Sequence, residues 1–323
     1  VRWGVLGCAS IATRKVIPAM QRSERCDVVA IASRDGERAT ETATQLGIAR
    51  SHGSYEALLA DDEIEAVYIP LPNHLHAEWT KRAAAAGKHV LCEKPLGLGV
   101  AEAVAMVEAC RVAGVLLMEA FMYRLHPSWQ RTHELVAEGA IGELRAIQGR
   151  FAYHNLDPAN IRNIADYGGG AVLDIGCYPI NVARWFFGGE PTDVKALVWR
   201  DATFGTDALT SALLDFDGRQ AAFTCSTQLE PDQRVHLLGT AGRLEVEIPF
   251  NIPPDRPTRV TLTAGGDPPV APHVTVFELP PCDQYTVMAD GFSRAVREGG
   301  PVPTPPEDAI GNMTVIEQIL ATG

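Results

Sequence analysis

The sequence has no apolar run of the roughly 18 residues that a membrane-spanning helix requires. Basic residues are also scarce, because 28 Lys and Arg stand against 40 Asp and Glu and leave a net charge of -12. An acidic surface repels nucleic acid and anionic membranes, so we expect neither as a partner. No signal peptide precedes the first strand-like run, although the chain starts without Met, which leaves open a removed leader.

Cysteine and histidine lack the spacings that hold metals or disulfides. The sequence has no CxxC and no HExxH motif, so no metal site is expected. An odd number of scattered cysteines is typical of buried thiols in a reducing compartment. We therefore expect a cytoplasmic protein. The seven cysteines are Cys8, Cys26, Cys92, Cys110, Cys177, Cys225 and Cys282.

Apolar residues make up 46% of the 323, which is enough for a full core and, at this length, about two domains. Over residues 1–121, short apolar runs alternate with helical patterns. Continuous apolar strands separated by helices are typical of parallel strands covered on both faces. The sequence therefore predicts an α/β domain with a doubly wound parallel sheet. Its strand candidates are RWGVLG, DVVAIAS, EAVYIPL, KHVLCE and VLLMEA.

Residues 122–323 follow a different pattern and are predicted to form a second domain. A helix is expected at 126–142, a strand at 143–155, and a Gly-rich turn with a helix at 168–189. Seven closely spaced extended runs then predict an antiparallel sheet. Two helices, at 284–299 and 306–321, are expected to close the chain, and the Pro-rich segments IPPDRP, GGDPPVAP and PVPTPPED predict loops.

The opening segment RWGVLGCASIATRKVIPAM predicts a strand, a tight turn and a helix. A dinucleotide-binding turn reads GxGxxG or GxGxxA, and the corresponding frame here is Gly7, Ala9 and Ala12. Any βαβ unit carries a glycine in its first turn, but the place at the start of the doubly wound half favours a dinucleotide. Backbone N–H groups of Ala9, Ser10 and Ile11 would then face the pyrophosphate.

The end of the second strand predicts which dinucleotide binds. NAD sites usually place Asp or Glu there, to bind a ribose hydroxyl. This sequence has Ser33 and Arg34, followed by Arg38 on the same helix face. A guanidinium binds phosphate through a charged fork, and an arginine at a helix N-terminus otherwise opposes the helix dipole. We therefore expect NADP rather than NAD, with solvated arginines as the alternative.

The loop IPLPNHLHAEW follows another apolar strand, at the sheet edge where open α/β sheets bind ligands. Its residues Pro70, Leu71, Asn73 and His76 are therefore candidate cofactor contacts. A single histidine at such a place is more often a helix cap or a surface residue than a residue that binds a ligand.

The next strand ends in Glu93-Lys94-Pro95, again at that edge. The proline restricts Lys94 to extended conformations, which fixes its direction. An ammonium held beside a nicotinamide can bind a substrate hydroxyl and lower the pKa of a neighbour. Glu93 could anchor the lysine or face the ribose.

A second chemical cluster lies in DIGCY, where Asp174 and Tyr178 are four residues apart and would share one face of a helix. Pro179 is awkward inside a helix, so the helix is expected to begin late or to kink. Tyrosine has an ordinary pKa near 10, which a close positive charge can lower by about 1–3 units. A Lys–Tyr pair is therefore a plausible proton carrier for hydride transfer. The alternative is a helix-capping Asp174 and a half-buried core tyrosine.

The segments VRWGVLGCASIA, VYIPLPNHLHAEW, HVLCEKPL, LLMEAFMYRLHP and GGGAVLDIGCYPI together resemble the glucose–fructose oxidoreductase / inositol dehydrogenase (Gfo/Idh/MocA) family over nearly the whole chain. The resemblance implies a Rossmann domain followed by an α+β domain with a large, open, mostly antiparallel sheet. The departure from the family pattern is the turn with Ala9 and Ala12.

The resemblance also implies roles for individual residues. Lys94 would be the lysine of the EKP motif, and Tyr178 the acid/base. The resemblance assigns five further positions, with Arg124 and Glu93 beside the cofactor, and Tyr153, Arg162 and Asp174 beside the substrate. Inositol dehydrogenases carry His in place of Tyr178, and the sequence looks closest to the branch of NADP-dependent xylose or pyranose 1-dehydrogenases and dihydrodiol dehydrogenases.

These observations predict an NADP-dependent oxidoreductase that oxidises a free aldose at its anomeric carbon. One alternative is a ketoreductase on a nucleotide-linked keto-sugar, and another is a nucleotide-sensing regulator without turnover. The open sheet face of the second domain must be covered, so a homodimer or homotetramer formed through that sheet is expected.

Overall fold

The computed structural model describes residues 1–265 and 272–322 and divides into two compact units. One unit comprises Val1–Met122 and Tyr285–Met313, and the other comprises Tyr123–Gln284 and the C-terminal residues from Thr314. No helix among the described residues is long and apolar enough to cross a membrane. Most of the predicted loop GGDPPVAP lies outside the described residues.

The first unit contains a six-stranded sheet in the order β3-β2-β1-β4-β5-β6, and each neighbouring pair is parallel. The predicted Rossmann sheet is confirmed. The central strands are almost entirely buried, as expected for parallel strands covered on both faces, whereas the edge strand β3 is half-buried. The strands are β1 (Arg2–Leu6), β2 (Asp27–Ala32), β3 (Arg50–His52), β4 (Ala66–Ile69), β5 (His89–Cys92) and β6 (Leu117–Glu119).

The helices that alternate with these strands in residues 1–122 begin at the carboxyl ends of the strands. The first helical segment opens with a π-helical turn, Ala12–Val16, and Pro18 follows within the first turn of α1. A proline ring clashes with the carbonyl four residues earlier in a regular α-helix, and the wider π turn accommodates it. The helices are α1 (Ile17–Gln21), α2 (Gly36–Leu46), α3 (Tyr55–Leu59), α4 (Asn73–Ala85) and α5 (Val100–Ala113).

The second unit contains an eight-stranded sheet in the order β14-β13-β12-β11-β7-β10-β9-β8. Every neighbouring pair is antiparallel except β7 and β10, so the sheet is mostly antiparallel, as expected. The strands are β7 (Leu144–His154), β8 (Asp193–Arg200), β9 (Asp207–Phe216), β10 (Arg219–Ser226), β11 (Gln228–Gly239), β12 (Gly242–Val246), β13 (Thr258–Ala264) and β14 (His273–Leu279).

Two helices in the sequence range of the second unit come before and after β7. The helix α6 spans Pro127–Ala137, and α7 spans Cys177–Phe187 after a π-helical turn at Val172–Gly176. Pro179 stands in the first turn of α7, where the π turn makes room for its ring. The chain ends with α8 (Gln284–Glu298) and α9 (Glu307–Leu320), close to the predicted ranges.

Candidate active site

The turn after β1 is built around Gly7, whose φ of +114° favours glycine. Its N–H donates to the carbonyl of Ala32 at 2.8 Å, which joins the ends of β1 and β2. A Cβ on Gly7 would lie 3.0 Å from Cδ2 of Leu71, so the turn also touches the loop after β4. The chain turns into a helix at Ser10, and Ala12 is fully buried. Backbone N–H groups at a helix start with a bare glycine beside them suit a pyrophosphate.

The end of β2 places Ser33, Arg34 and Arg38 beside this turn. Ser33 is buried, and its hydroxyl accepts the N–H of Asp35 at 3.2 Å. Arg38 donates from Nη2 to the carbonyl of Cys8 at 3.0 Å, so part of its guanidinium holds the glycine turn. Arg38 thus also shapes the glycine turn, and Ser33 shapes the turn that leads into α2.

Arg34 is exposed and lies close to the phenol of Tyr55. Burial raises the pKa of Tyr55, and the neighbouring guanidinium of Arg34 opposes that rise. The phenol oxygen would lie 3.7 Å from a Cβ on Gly7. Arg34 is therefore an exposed cation close to the glycine turn, through the neighbouring phenol of Tyr55.

The loop after β4 differs from a freely exposed ligand loop. Pro70 and Leu71 are buried, and Asn73 begins α4 half-buried. His76 is fully buried, and its ring nitrogens lie 2.7 Å from the carbonyl oxygen of Leu71 and 2.9 Å from that of Pro95. The side chain of His76 therefore lies between two loops, and its predicted contact with the cofactor stays a prediction.

The loop after β5 carries Lys94, which is half-buried and precedes a cis peptide bond to Pro95. Side chains from neighbouring strands hold the residues on either side. The Tyr68 hydroxyl on β4 donates to Oε1 of Glu93 at 2.5 Å. The buried carboxylate of Glu119, at the end of β6, accepts the N–H of Leu96 at 2.7 Å. The hydrogen bond from Tyr68 fixes the carboxylate of Glu93, and its two predicted roles, anchoring Lys94 or facing the ribose, stay predictions.

In the second unit, three predicted substrate residues meet at one carboxylate oxygen. Tyr153 donates its hydroxyl to Oδ2 of Asp174 at 2.6 Å, and Arg162 donates Nε to the same oxygen at 2.8 Å. The three come from β7, a short 3-10 turn at Ile161–Asn163 and the π turn before α7. Asp174 is only 13% exposed, so its orientation is fixed by these two donors.

The charges in this cluster keep both donors protonated. The carboxylate of Asp174 raises the pKa of Arg162 well above its usual range. Burial, followed by the same carboxylate, raises the pKa of Tyr153 well above that of a free phenol. A fixed carboxylate with two permanent donors can orient sugar hydroxyl groups through charge-assisted hydrogen bonds.

Tyr178 lies four residues after Asp174 and is almost fully buried. Its ring packs against those of Tyr123, Phe151 and Phe250, with centroid distances of 5.8, 5.5 and 4.9 Å. These rings form an aromatic nest that determines the orientation of the phenol. Removal of the hydroxyl alone should therefore leave the ring in place.

Asp207 at the start of β9 supports this helix, a role that sequence analysis did not assign. Its Oδ2 accepts the N–H of Val172 at 2.7 Å. Gly170 has a φ of +117°, and a Cβ there would approach Oδ1 of Asp207 to 2.0 Å. The Gly-rich run before DIGCY is thus required for the close approach of this carboxylate to the start of the helix.

Asp207 should make folding stability depend on pH. Burial raises the pKa of its carboxyl group from 3.8 to about 6, although the hydrogen bond from Val172 opposes the rise. The folded state thus holds the proton more tightly, so this contribution to stability is complete below about pH 4 and is lost as pH rises through 6. In urea unfolding, wild type should lose about 2 kcal/mol relative to Asp207→Asn between pH 4 and 7.5. A difference that stays constant with pH would contradict the assignment.

Arg124 lies in a 3-10 turn at Met122–Leu125, and its guanidinium lies over the ring of Trp185, 4.8 Å from the centroid. This cation–π contact holds the side chain of Arg124 in one position. It was predicted as a cofactor contact, and that assignment stays a prediction.

Sequence analysis also missed Tyr68, Glu119 and Tyr55. Glu119 carried a signal, since it is a carboxylate at the end of an apolar strand in LLMEAF. Tyr68 stands within the apolar run AVYI and shows no sign of its polar contact. Among the described residues, no group of three or more His, Cys, Asp and Glu side chains is arranged to hold a metal ion.

Comparison with known proteins gives matches over both units. Residues 1–121 match the model of an oxidoreductase family with an NAD-binding Rossmann fold, and residues 129–245 match the GFO/IDH/MocA C-terminal domain. An uncharacterized oxidoreductase of Rhizobium meliloti is 49% identical over 99% of this chain and 96% of its own length. D-xylose 1-dehydrogenase (NADP(+)) 2 of Haloferax volcanii is 41% identical over 98% and 95%.

A solved structure is similar as well. The crystal structure of a 3-ketoreductase from Actinomadura kijaniata, in complex with NADP and TDP-benzene, has a TM-score of 0.91 at 34% identity and covers 100% of this chain and 97% of its own. Further structures of that ketoreductase carry substitutions of one lysine and of one tyrosine. The predicted Rossmann domain for a nicotinamide dinucleotide and the predicted enzyme class are confirmed. The chain belongs to the Gfo/Idh/MocA family of oxidoreductases.

Proposed function

We propose that this protein is an NADP-dependent sugar dehydrogenase that oxidises an aldose of the xylose type at its anomeric carbon. The observation that carries the proposal is the anchored carboxylate of Asp174, held by Tyr153 and Arg162 one helical turn before Tyr178. Sugars present several hydroxyl groups, and a fixed carboxylate can accept hydrogen bonds from two of them. The 41% identity to a xylose dehydrogenase supports the same substrate class.

The cofactor assignment depends on the glycine turn and on Arg34. Because Gly7 has no side chain, the backbone of the turn is accessible at the point where a Cβ would contact Leu71. The exposed guanidinium of Arg34 lies close to this turn. These residues fit a dinucleotide with a 2′-phosphate. When bound, NADP supplies the acceptor or donor of the hydride. The similar xylose dehydrogenase is an NADP(+) enzyme by name and the ketoreductase structure contains NADP, which supports this choice.

The chain's own residues handle the proton. In the oxidation of an aldose, the anomeric carbon loses a hydride and its oxygen loses a proton, so the product is a lactone. Tyr178 takes this proton, and Lys94 binds the same hydroxyl and favours the ionised phenol. Asp174 orients the neighbouring hydroxyl groups. In the ketoreductase, the substituted lysine and tyrosine are 84 positions apart, the same separation as Lys94 and Tyr178, which supports this pairing.

The second candidate function is reduction of a nucleotide-linked keto-sugar, because the ketoreductase shares the fold over the full chain. A screen of both substrate classes separates the two. We expect nicotinamide absorbance at 340 nm to rise with NADP and a free aldose such as xylose. Consumption of NADPH only with a nucleotide-linked keto-sugar would favour the second candidate. A regulator without turnover is not retained, since the chain belongs to an oxidoreductase family and has both Lys94 and Tyr178.

Cofactor preference gives a direct test of the 2′-phosphate assignment. Arg34→Ala should weaken NADP binding by about 10- to 100-fold, the range expected when a charge-assisted hydrogen bond of 1.5–3 kcal/mol is lost, and should leave NAD binding nearly unchanged. Titration of protein fluorescence with both cofactors measures this. Arg111→Ala on α5, an exposed arginine paired with Glu108, is the matched control. Equal losses for NADP and NAD would contradict the assignment.

We also propose that the protein assembles through the eight-stranded sheet and works in the cytoplasm. Three large apolar side chains on β8 and β9 are strongly exposed, namely Leu197 at 80%, Trp199 at 53% and Leu213 at 42%. Such a patch on a sheet face supports burial against another copy.

A further inference from the structure

Several side chains hold the loop that carries Lys94, among them Tyr68, Glu119, Glu102 and His76. Tyr68 binds the side chain of Glu93 in this loop, and Glu119 binds the N–H of Leu96. His76 lies between this loop and the loop after β4, because its ring nitrogens face the carbonyls of Pro95 and Leu71. It is fully buried, so water cannot replace either contact.

The chemistry of the imidazole limits how it can serve both loops. A neutral imidazole has one N–H, whereas both of its neighbours are carbonyl acceptors. Burial is the largest cause that lowers the pKa of His76 to about 4, and the charge of Lys94 lowers it further, while the two carbonyls oppose the shift. At neutral pH its single N–H can therefore donate to only one of the two carbonyls at a time, while the buried ring stays packed between both loops.

The second loop leads back to the dinucleotide turn. Cδ2 of Leu71 would lie 3.0 Å from a Cβ on Gly7, so the two touch in the folded chain. The residue directly before Pro95 is Lys94. A chain of contacts thus runs from the glycine turn through Leu71 and His76 to the backbone next to Lys94.

We propose that His76 is a positioning residue that sets the place of Lys94 for hydride transfer by holding the carbonyl of Pro95 at a fixed distance from the dinucleotide turn. This inference rests on the proposed catalytic function of Lys94. His76 is fully buried and acts through the backbone of the lysine loop. A displacement of about 1 Å in a catalytic group can lower a rate about 100-fold, so the effect of losing this support should be large.

The experiment is a double-mutant cycle between His76 and Lys94, read out by single-turnover hydride transfer with NADP and the aldose. His76→Leu removes both polar contacts and should slow transfer by about 100-fold. NADP binding should weaken by only about fivefold, which corresponds to one lost hydrogen bond. His76→Gln keeps one N–H donor and should recover at least tenfold of the lost rate.

The decisive measurement is the double variant. If His76 acts through Lys94, then His76→Leu with Lys94→Ala should be no slower than Lys94→Ala alone, within about twofold. A general structural role predicts that the two losses multiply. Ala83→Gly is the control, because it weakens the same helix at a fully buried position remote from both loops. Any decrease in the rate of hydride transfer caused by Ala83→Gly should multiply with the decrease caused by Lys94→Ala.

Each result decides the proposal. Multiplied losses for His76 and Lys94, or wild-type transfer in His76→Leu, would overturn the positioning role while Lys94 stays catalytic. Near-wild-type transfer in Lys94→Ala would overturn the catalytic role of Lys94 and the proposal together. Thermal unfolding confirms that the variants are folded, and if His76→Leu is not, the same cycle is carried out with His76→Gln, for which the losses should again not multiply.

Discussion

Lys94→Ala and Tyr178→Phe should each slow single-turnover hydride transfer by about 10²- to 10⁴-fold, while NADP binding stays nearly unchanged. The first variant removes only the ammonium. The rest of the loop stays in place, because Tyr68 still binds Glu93 and Glu119 still binds the N–H of Leu96. The second removes one hydroxyl from a ring that the aromatic nest holds in place. Neither change touches the glycine turn or Arg34, so the cofactor should still bind.

The combination of the two changes tests whether they act as one unit. A proton path that is already broken cannot be broken again, so the double variant should be little slower than either single one. Higher pH should partly restore Lys94→Ala, because a phenol then ionises without help from a neighbouring charge. Losses that multiply would leave two separate contributors and would make Glu93-Lys94-Pro95 a substrate clamp.

Matched controls separate proton transfer from folding. Tyr123→Phe is the same substitution in the same aromatic nest, and it removes the hydrogen bond that the Tyr123 hydroxyl donates to Asn181 at 2.6 Å. It should lower stability by about 1 kcal/mol with little effect on hydride transfer. Lys81→Ala, at an exposed position of α4, is the control for Lys94. Near-wild-type rates in Lys94→Ala or Tyr178→Phe would remove the catalytic role of that residue.

The strands of the first unit could be predicted from the sequence because parallel strands are buried on both faces and therefore read as continuous apolar runs. The exceptions show the limit of that signal. The strand β3 consists of Arg50, Ser51 and His52, all half-buried, so no apolar run marks it. The helix α3 has only five residues, too few for an apolar period to show. Both were missed for that reason.

The second unit shows a different limit. Close spacing indicated antiparallel strands, but the alternation of side chains carries no information on which strands are neighbours. The parallel pairing of β7 with β10 therefore could not be predicted. The end of α6 was placed too late, since the helix stops before Gly139, whose φ of +76° ends it.

Within the site, residue types could be predicted and contacts could not. The motifs pointed to Asp174 and Tyr178 because their spacing fits one helix face. Nothing in the sequence shows that Tyr153 and Arg162 meet on one oxygen of Asp174, since they come from separate elements. Asp207 is a further case, because an Asp before a strand has no pattern that assigns it to a helix 35 positions earlier.

The outer face of the eight-stranded sheet leads to the second large expected effect. The strand register places Leu213 on β9 and Val276 on β14 on the same face, through partners on every strand between them. Eight strands about 4.8 Å apart and about 24 Å long give a face of roughly 900 Å². A stable interface needs about 800 Å² from each partner, so this one face is large enough for a second copy.

The charges on this face are compatible with such an interface. Its middle carries residues of both signs, and Arg234 and His236 lie 3.5 and 3.7 Å from carboxylate oxygens of Glu245. The apolar residues Leu197 and Trp199 lie on the edge strand β8, and Val276 lies on the opposite edge strand. A copy related by a two-fold axis would meet apolar edges and mixed charges, which is what a self-complementary surface needs.

Negative charges introduced by substitution on this face should therefore prevent the proposed association of two copies. The double variant Leu197→Asp with Trp199→Asp introduces two carboxylates per chain, and a two-fold interface doubles them, so the unpaired charges should cost several kcal/mol and leave monomers. Light scattering after gel filtration should give a mass near that of one chain, 34.8 kDa, for the variant and at least twice that for the wild type. Val112→Asp, at a side chain 72% exposed on α5, should leave the assembly intact. A wild type that is monomeric at all working concentrations, or a double variant with unchanged mass, would show that another surface or none mediates association.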